Sequence, residues 1–312
     1  MKLKSLLAAV AATAISASAA VADWAPSGPI KMWIGFGAGG ETDTLGRLIA
    51  KEVSEATGWN LVVENKPGGG GIAMFTQLAT VPADGQTIGM GVTMPVLVNL
   101  TIRPDEIPFD LDSFDYLNTV ALAQLAIVAK ADAPFDDLEG FLAYSKEQGG
   151  ALMAFDAKPQ ELLMNFVNGK SDAGVKLVST KSSAEALQQV LGGHVAAAFN
   201  AGVHIPYLES GELKMIASAN ASRHSYAQDV ATVQEQGYDI YVDPWFYIAA
   251  PAGVPDDAKM ALSKAISDAL ASDAAKEAIM NAMHTEPSMA GPDETKAMLE
   301  AGLTNVGTLF GK

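Results

Sequence analysis

The 312-residue sequence contains no cysteine and only four histidines. The first absence excludes disulfide bonds, thiolate metal sites and lipid attachment to an N-terminal cysteine, so packing alone must stabilise the fold. The histidines are scattered. None pairs with a serine in a recognisable catalytic motif, and no His, Asp and Glu cluster has metal-ligand spacing. We therefore expect no catalytic residue, no metal and no cofactor, which leaves open only a triad assembled from distant segments.

Positive charge is also in deficit, with 20 Lys and Arg against 36 Asp and Glu and a formal net charge of −16. Such a chain repels nucleic acid and anionic membrane surfaces, so neither is expected as a partner. An anionic ligand would need a local site that overcomes this field. The acidity also has a simpler explanation, because it favours solubility or suits a salty habitat.

The N-terminus has the pattern of a secretory signal peptide. Lys2 and Lys4 precede an apolar run over residues 6–15, and Ala20-Val21-Ala22 forms a small-residue cleavage site. The run is shorter than the ~20 residues that a membrane span needs, which argues against an uncleaved anchor. We predict a signal peptide over residues 1–22, a mature chain from about Asp23, and a periplasmic protein, which the absence of cysteine also fits.

The rest of the chain alternates short apolar segments with segments of helical periodicity. In residues 42–58, for example, Leu45, Ile49 and Val53 share one helical face, Thr42 or Asp43 is predicted as the N-cap, and Gly58 ends the helix. The alternation predicts an α/β fold with mostly parallel sheets flanked by helices and with ligands at the carboxyl ends of strands. The predicted strands are 30–34, 61–63, 87–91, 151–155, 175–178, 194–199, 213–218 and 245–250. The predicted helices are 42–58, 72–80, 135–148, 160–168, 184–191, 206–210, 256–272 and 292–309. Segment 117–130 is long enough to run from one domain into another.

Two glycine-rich turns follow the first two predicted strands. The first reads Gly35-Phe36-Gly37-Ala38-Gly39-Gly40, and the second reads Pro67-Gly68-Gly69-Gly70-Gly71. Glycine lets a backbone turn tightly and bring its N–H groups close to a ligand, and the helix that follows adds its positive end. Two such turns on neighbouring strands predict an anion site for a carboxylate or a phosphate.

The first turn also fits the dinucleotide fingerprint, with Glu64 at a plausible distance for a ribose contact. Against this alternative, Glu41 and Asp43 would repel a pyrophosphate, and the second strand leads into four glycines. An exported protein also has poor access to nicotinamide cofactors. No Gly-Lys-Ser/Thr follows either turn, so a P-loop is not predicted.

Both turns resemble those of the solute-binding proteins of tripartite tricarboxylate transporters, the Bug receptors. The resemblance rests on segment 36–43 (Phe36-Gly37-Ala38-Gly39-Gly40-Glu41-Thr42-Asp43) and segment 63–71 (Val63-Glu64-Asn65-Lys66-Pro67 and four glycines). It continues through Ala83-Asp84-Gly85, Leu191-Gly192-Gly193-His194-Val195, Pro244-Trp245-Phe246 and Ala250-Pro251-Ala252-Gly253. It therefore spans the whole mature chain in the expected order.

The resemblance implies a periplasmic two-lobed binding protein of the Venus-flytrap type, not an enzyme, that closes around a small di- or tricarboxylic or aromatic acid. The partners would be this carboxylate and the membrane permease subunits, and the receptor is expected to be a monomer. Residues 23–120 with 245–312 would form the first lobe and residues 121–244 the second. A sensory receptor that presents the carboxylate to a sensor kinase remains the alternative, with a Rossmann-type nucleotide-binding protein behind it.

The candidate ligand-binding residues come from both lobes. From the first lobe we nominate Phe36, Ala38, Gly39, Gly40, Thr42, Asp43, Gly69, Gly70, Gly71 and Thr93. From the second lobe and the returning crossing we nominate Lys158, Lys181, Ser182, Asn200 and Trp245. Several have a structural alternative: Asp43 can brace the loop, Ser182 can cap a helix, Thr93 and Lys158 can be ordinary loop residues, and Trp245 can belong to the core or hinge.

Overall fold

The computed structural model describes residues 24–309, and the side chains of all of these except 282, 305, 308 and 309. The predicted signal peptide and its cleavage site lie outside the described residues. Within the described range, no helix is both long and apolar enough to cross a bilayer.

Ten strands and ten α-helices follow one another along residues 24–309. The strands are β1 (Ile30–Ile34), β2 (Leu61–Asn65), β3 (Thr87–Val92), β4 (Phe114–Leu122), β5 (Leu125–Lys130), β6 (Leu152–Phe155), β7 (Lys176–Ser179), β8 (Ala197–Ala201), β9 (Leu213–Ser218) and β10 (Trp245–Pro251). The helices are α1 (Glu41–Thr57), α2 (Ile72–Leu78), α3 (Thr93–Ile102), α4 (Leu138–Glu147), α5 (Lys158–Ser171), α6 (Ser183–Leu191), α7 (Ile205–Glu209), α8 (Asp256–Ala271), α9 (Asp273–Met283) and α10 (Pro292–Leu309).

The strands form two five-stranded sheets, ordered β2-β1-β3-β10-β4 and β7-β6-β8-β5-β9. This confirms the two-lobed α/β fold. In each sheet, two neighbouring pairings are parallel and two are antiparallel, so the sheets are mixed. The three parallel strands of each sheet follow one another along the chain with helices between them. The antiparallel pairings all involve β10 or β5, each the first strand after the chain passes from one sheet to the other.

Helices cover both faces of the first sheet, which explains its nearly continuous apolar strands. On one face, α1 and α8 bury residues such as Leu45, Ile49 and Ile266. On the other face, α2, α3 and α10 pack around Phe75 and Leu299. The second sheet is covered in the same way, by α4 and α5 on one face and by α6 on the other. Each sheet therefore has its own core, and the loops at the strand ends are left to face each other.

The chain crosses between the two sheets twice, and we call these two segments the crossings. The chain passes from β4 to β5 through Ala123, and it returns through Pro244 into β10. The N–H of Ala123 donates to the carbonyl of Pro244 at 2.8 Å. Asn220, just after β9, bridges both crossings. Its Nδ2 donates to the carbonyls of Ala123 and Val242, each at 3.1 Å, and its Oδ1 accepts from the N–H of Leu125 at 2.6 Å.

The sheets are mixed rather than mostly parallel as expected, and the structure differs from the sequence prediction in three further places. Segment 117–130 is two strands, β4 and β5, so the expected passage between domains occurs within it. Helices α3 and α9 were not predicted. The prediction that Thr42 or Asp43 caps α1 is wrong, because Gly40 is the N-cap and makes no side-chain bond. Gly58 does end α1, with a left-handed φ of 76°.

Candidate functional site

The first glycine loop joins β1 to α1 and is held from within by Asp43. The Asp43 carboxylate accepts from the N–H of Gly39 at 2.9 Å, from Nδ2 of Asn65 at 2.8 Å and from Nε of Arg47 at 3.0 Å. Burial raises the pKa of Asp43, but these hydrogen bonds outweigh it and hold the pKa below its ordinary value. Asp43 therefore braces the loop as an anion, in agreement with the structural alternative stated for it.

The second glycine loop touches the first. Gly68, Gly69, Gly70 and Gly71 all have positive φ, between 60° and 152°, which only glycine adopts easily. A Cβ on Gly35 would lie 2.8 Å from the Cα of Gly71, so the two loop backbones are as close as glycine permits. The predicted pairing of the glycine loops at one sheet edge is therefore present.

The loops face two spaces that share part of their lining. We call the first the inner cavity. It has a volume of about 50 Å³, and its lining includes Phe36, Glu41, Thr42, Pro95, Asp156, Ala157, Gln160 and Ser183. We call the second the outer cleft. It has a volume of about 680 Å³, and its lining includes Phe36, Gly69, Gly70, Arg103, Asp156, Ala157, Lys158 and Lys181. Phe36, Asp156 and Ala157 line both spaces.

Loops of the two sheets touch across these spaces. The N–H of Gly37 donates to the carbonyl of Lys181 at 3.0 Å, and the N–H of Glu41 reaches Oγ of Ser183 at 3.4 Å. Helices α3 and α5 pack against each other on the same side. The structure is therefore a closed arrangement in which little space remains at the inner cavity.

Two acids in the cleft have raised pKa values. Glu41 is only 5% exposed, and burial, followed by the nearby charge of Asp156, raises its pKa well above the ordinary value. Asp156 is partly exposed to the cleft yet surrounded by protein. Burial raises its pKa to about 6, although hydrogen bonds from Gln160 and its own backbone act in the opposite direction. Neither acid was among the candidate residues, and no cluster of three or more metal-ligating groups occurs within the described residues.

Residues 45–309 match the tripartite tricarboxylate transporter family receptor. The chain belongs to this family. It is 31% identical over 296 residues to Protein BugT of Bordetella pertussis, with 92% of this chain and 90% of that protein covered. The resemblance to Bug receptors is thereby confirmed. The family consists of periplasmic solute-binding receptors rather than enzymes, as expected from the sequence.

Solved structures share the receptor fold. The periplasmic binding protein BugD superposes with a TM-score of 0.82 at 24% identity, and 92% of this chain and 97% of that chain are covered. MatC of Rhodopseudomonas palustris, solved with bound malate, superposes with a TM-score of 0.81 at 22% identity, over 91% of this chain and 99% of that chain. Both likenesses support the two-lobed fold of this receptor.

The receptor brings some of the nominated residues together at its cleft. Phe36 and Thr42 line the inner cavity, and Gly69, Gly70, Lys158 and Lys181 line the outer cleft. Gly40, Gly71 and Ser182 lie in the contacts around them, where Ser182 Oγ also accepts from the N–H of Glu185 at 3.3 Å and caps α6. Lys158 pairs with Glu161 at 2.8 Å. Ala38 and Gly39 are exposed residues of the first glycine loop.

Other nominated residues lie apart from these two spaces. Thr93 and Trp245 line a separate cavity beside α10, and the Thr93 hydroxyl accepts from the N–H of Trp245 at 3.1 Å. Asn200 is fully buried, and its Nδ2 donates to the carbonyl of Ser183 at 2.7 Å. The ligand-binding role of all the nominated residues stays a prediction.

The positions of Glu41 and Asp156 in the sequence could have indicated that both lie at the ligand cleft. Glu41 directly follows Gly39-Gly40 at the first position of α1, and Asp156 directly follows β6. An acid at the carboxyl end of a strand is a candidate for a ligand contact. From the sequence alone, Glu41 counts against nucleotide binding, and Lys158 is the candidate in the segment that contains Asp156.

Proposed function

We propose that this protein is a periplasmic receptor that captures a small carboxylate between its lobes and delivers it to the permease subunits of a tripartite tricarboxylate transporter. The observation that carries the proposal is the contact between two glycine loops at the edge of a closed interlobe cleft. Residues 1–22 would direct export and be removed before about Asp23. Residues 23–120 with 245–312 would form one lobe, and residues 121–244 the other.

The ligand carboxylate would bind in the outer cleft. Backbone N–H groups of Gly69 and Gly70 would act as donors, since glycine allows a close approach. Arg103, Lys158 and Lys181 line the same space and supply positive charge, although Lys158 is paired there with Glu161. Because MatC binds malate, four-carbon and five-carbon dicarboxylates are the first class to test.

Closure would follow from ligand binding. The hydrogen bonds from Gly37 to Lys181 and from Glu41 to Ser183 join the two lobes, and opening would break them. A ligand shifts the lobes toward closure only if it interacts better with the closed form, which contacts from both lobes provide. The closed surface would then dock on the permease.

The proposal is tested by a thermal-shift and calorimetry screen. Mature protein is unfolded and refolded to remove retained ligand and is then mixed with mono-, di- and tricarboxylates, aromatic acids and amino acids. A ligand at a hundred times its Kd should stabilise the fold by ~2.7 kcal/mol. If every acid leaves the melting temperature unchanged, the carboxylate site is refuted. Delivery is tested by uptake of the identified ligand into vesicles that contain the permease subunits.

Replacing Gly70 with alanine should weaken carboxylate binding. Gly70 has a φ of +70°, and a Cβ there would lie 2.8 Å from the Cβ of Pro95 and 3.5 Å from that of Ala157, across the cleft. Overpacking of about 1–3 kcal/mol in the closed form corresponds to a Kd about 5–150-fold higher. Gly58→Ala is the matched control, because Gly58 has a φ of +76° and nothing within 4 Å. Equal affinities of the two variants would contradict a role for the second glycine loop.

A further inference from the structure

The side chain of Glu41 lacks the partners that a buried acid needs. Both of its carboxyl oxygens are buried, and neither has a hydrogen-bond partner. Oδ1 of the fully buried Asn200 also has none, and both residues contact Ser183, Glu41 through its N–H and Asn200 through its Nδ2. Unpartnered buried acceptors are costly, and they are uncommon in folded proteins. Because Glu41 lines the inner cavity, its two unpartnered oxygens indicate that a molecule bound there supplies the missing hydrogen-bond donors.

No positive side chain neutralises the acids of the inner cavity. Within residues 24–309, none of the ion pairs includes Glu41 or Asp156. The three basic residues of the cleft, Arg103, Lys158 and Lys181, line the outer cleft and not the inner cavity. The inner cavity therefore has acids and no base in its lining, whereas the three bases lie in the outer cleft, which Asp156 and Glu161 also line.

The groups beyond Glu41 do not supply a cation either. Burial, followed by the charge of Glu41, raises the pKa of Tyr226, whose hydroxyl lies 2.9 Å from Nε2 of His204 and 2.8 Å from Nδ1 of His224. Burial lowers the pKa of His204 to about 3 and that of His224 to about 4, so both rings are neutral near pH 7. The Tyr226 hydroxyl stays protonated. The facing groups are thus neutral, apart from Asp156.

We propose that the inner cavity is a subsite for a protonated amine, so that the ligand of this receptor is an amino-substituted carboxylate. The proposal rests on the proposed function and narrows its substrate class. An ammonium group brings three N–H donors and one positive charge. It would bind Glu41 and Asp156, which both line the inner cavity. Because Phe36, Asp156 and Ala157 line both spaces, one small molecule could place its amine in the inner cavity and its carboxylate in the outer cleft.

Two other occupants fit less well. A hard divalent cation takes six or more oxygen ligands, and the described residues form no group of three metal-ligating side chains. Water would fit, since a volume of about 50 Å³ exceeds the ~10–15 Å³ that one buried water needs. Water leaves the charge of Asp156 uncompensated, however, and would keep the neighbouring Glu41 protonated, because burial and that charge raise the pKa of Glu41. The amine and water alternatives therefore differ in the ionisation of Glu41 in the complex.

The test compares ligands that differ only by the amine, measured by isothermal titration calorimetry on refolded mature protein. The pairs are aspartate with succinate, glutamate with glutarate, and alanine with propionate. The amino member of at least one pair should bind at least about tenfold more tightly than its partner. Its binding should also release protons, seen as a binding enthalpy that changes between phosphate and Tris buffers, because the amine ionises a carboxyl that is neutral in the free protein.

Glu41→Gln supplies the decisive variant. Gln has the shape of the neutral acid, so the free protein should melt at the same temperature or higher. The amino ligand should lose at least about tenfold in affinity and release fewer protons, while the plain acid should bind as before or more tightly. Glu55→Gln is the control, because it makes the same change on the exposed face of α1, where Glu55 pairs with Lys51. Glu55→Gln should leave the affinities of the amino ligand and of the plain acid unchanged.

The outcomes separate the two proposals. The amine subsite is refuted if plain acids bind as tightly as their amino partners and Glu41→Gln changes the affinity of neither. In that case the inner cavity holds water, and the proposal of a carboxylate receptor stands. If no member of any pair binds and the wider carboxylate screen is also empty, both proposals fall.

Discussion

Replacing Phe75 with alanine is expected to lower the free energy of unfolding by about 3–5 kcal/mol, the usual cost of deleting a buried aromatic ring. Phe75 is fully buried in α2. Its ring stacks on Tyr247 with centroids 5.3 Å apart and an interplanar angle of 5°, and it meets the ring of Phe114 edge-on at 5.3 Å. A cavity in this cluster cannot close, because β10 and β4 carry the neighbouring rings as parts of one sheet.

The loss should extend to the binding site. A Cβ at Gly71 would lie 3.8 Å from the Phe75 ring, so this ring supports the second glycine loop from below. Urea unfolding monitored by circular dichroism gives the stability, and calorimetry gives carboxylate affinity, which should fall as well. Phe166→Ala is the matched control, since Phe166 is 37% exposed on α5 and should change stability by less than about 1 kcal/mol. A similar small loss for Phe75→Ala would contradict the packing described.

Replacing Asn220 with alanine is expected to cost about 3 kcal/mol or more of stability, although Asn220 lies outside both sheets. The amide joins β5 to both crossings, and Nδ2 also donates to Oδ1 of Asp243 at 2.9 Å, while Oδ1 accepts from Nε2 of His224 at 2.9 Å. Alanine would leave several buried groups without hydrogen-bond partners, and each such group lowers the free energy of unfolding by about 1–3 kcal/mol.

Because these bonds hold the two crossings together, Asn220→Ala should also alter how the lobes move. Urea unfolding measures the stability, and small-angle scattering with and without ligand measures the change in radius of gyration on closure. The exposed Asn60 provides a control, since Asn60→Ala should leave stability within about 0.5 kcal/mol of the parent. If Asn220→Ala behaves like Asn60→Ala, the crossings do not depend on this amide.

The sequence predicted most helices and strands because their apolar residues repeat with a clear period, but it missed α3. That helix reads Thr-Met-Pro-Val-Leu-Val-Asn-Leu-Thr-Ile and is buried between the first sheet, α5 and α10. A helix enclosed on most sides has no polar face, so it lacks the 3.6-residue pattern. Its β-branched residues and Pro95 resemble a strand or a loop instead.

Helix α9 was missed for a different reason. It follows α8 with only Ser272 between them, and Ser272 Oγ accepts from the N–H of Ala275 at 3.0 Å as an N-cap. Small residues and charges dominate α9, so its buried face is too weak to stand out. A serine followed by an acidic first turn was the signal that could have been used.

The glycine loops could be predicted because each is a run of consecutive residues. The buried environment of Glu41 could not be predicted in this way. Glu41 is buried by contact with Ser183 and by the close backbone of Gly202, where a Cβ would clash with Glu41 Oε1. Ser183 lies 142 positions further along the chain, in the other lobe, and Gly202 lies further still. Whether an acid at a helix start is solvated or enclosed depends on tertiary contacts that no local pattern records.

The crossings have a consequence for how such receptors diversify. Leu122 and Trp245 are directly opposed on β4 and β10, which are antiparallel neighbours about 5 Å apart. Residues 123–244 thus occupy the place of an ordinary hairpin turn in the first sheet. A single recombination event at this point can exchange the whole insertion without disturbing any pairing of the sheet that carries the glycine loops. Asp156, Ser183 and Asn200 would be exchanged with the insertion, so one step could replace the residues that face the glycine loops while the loops themselves stay the same.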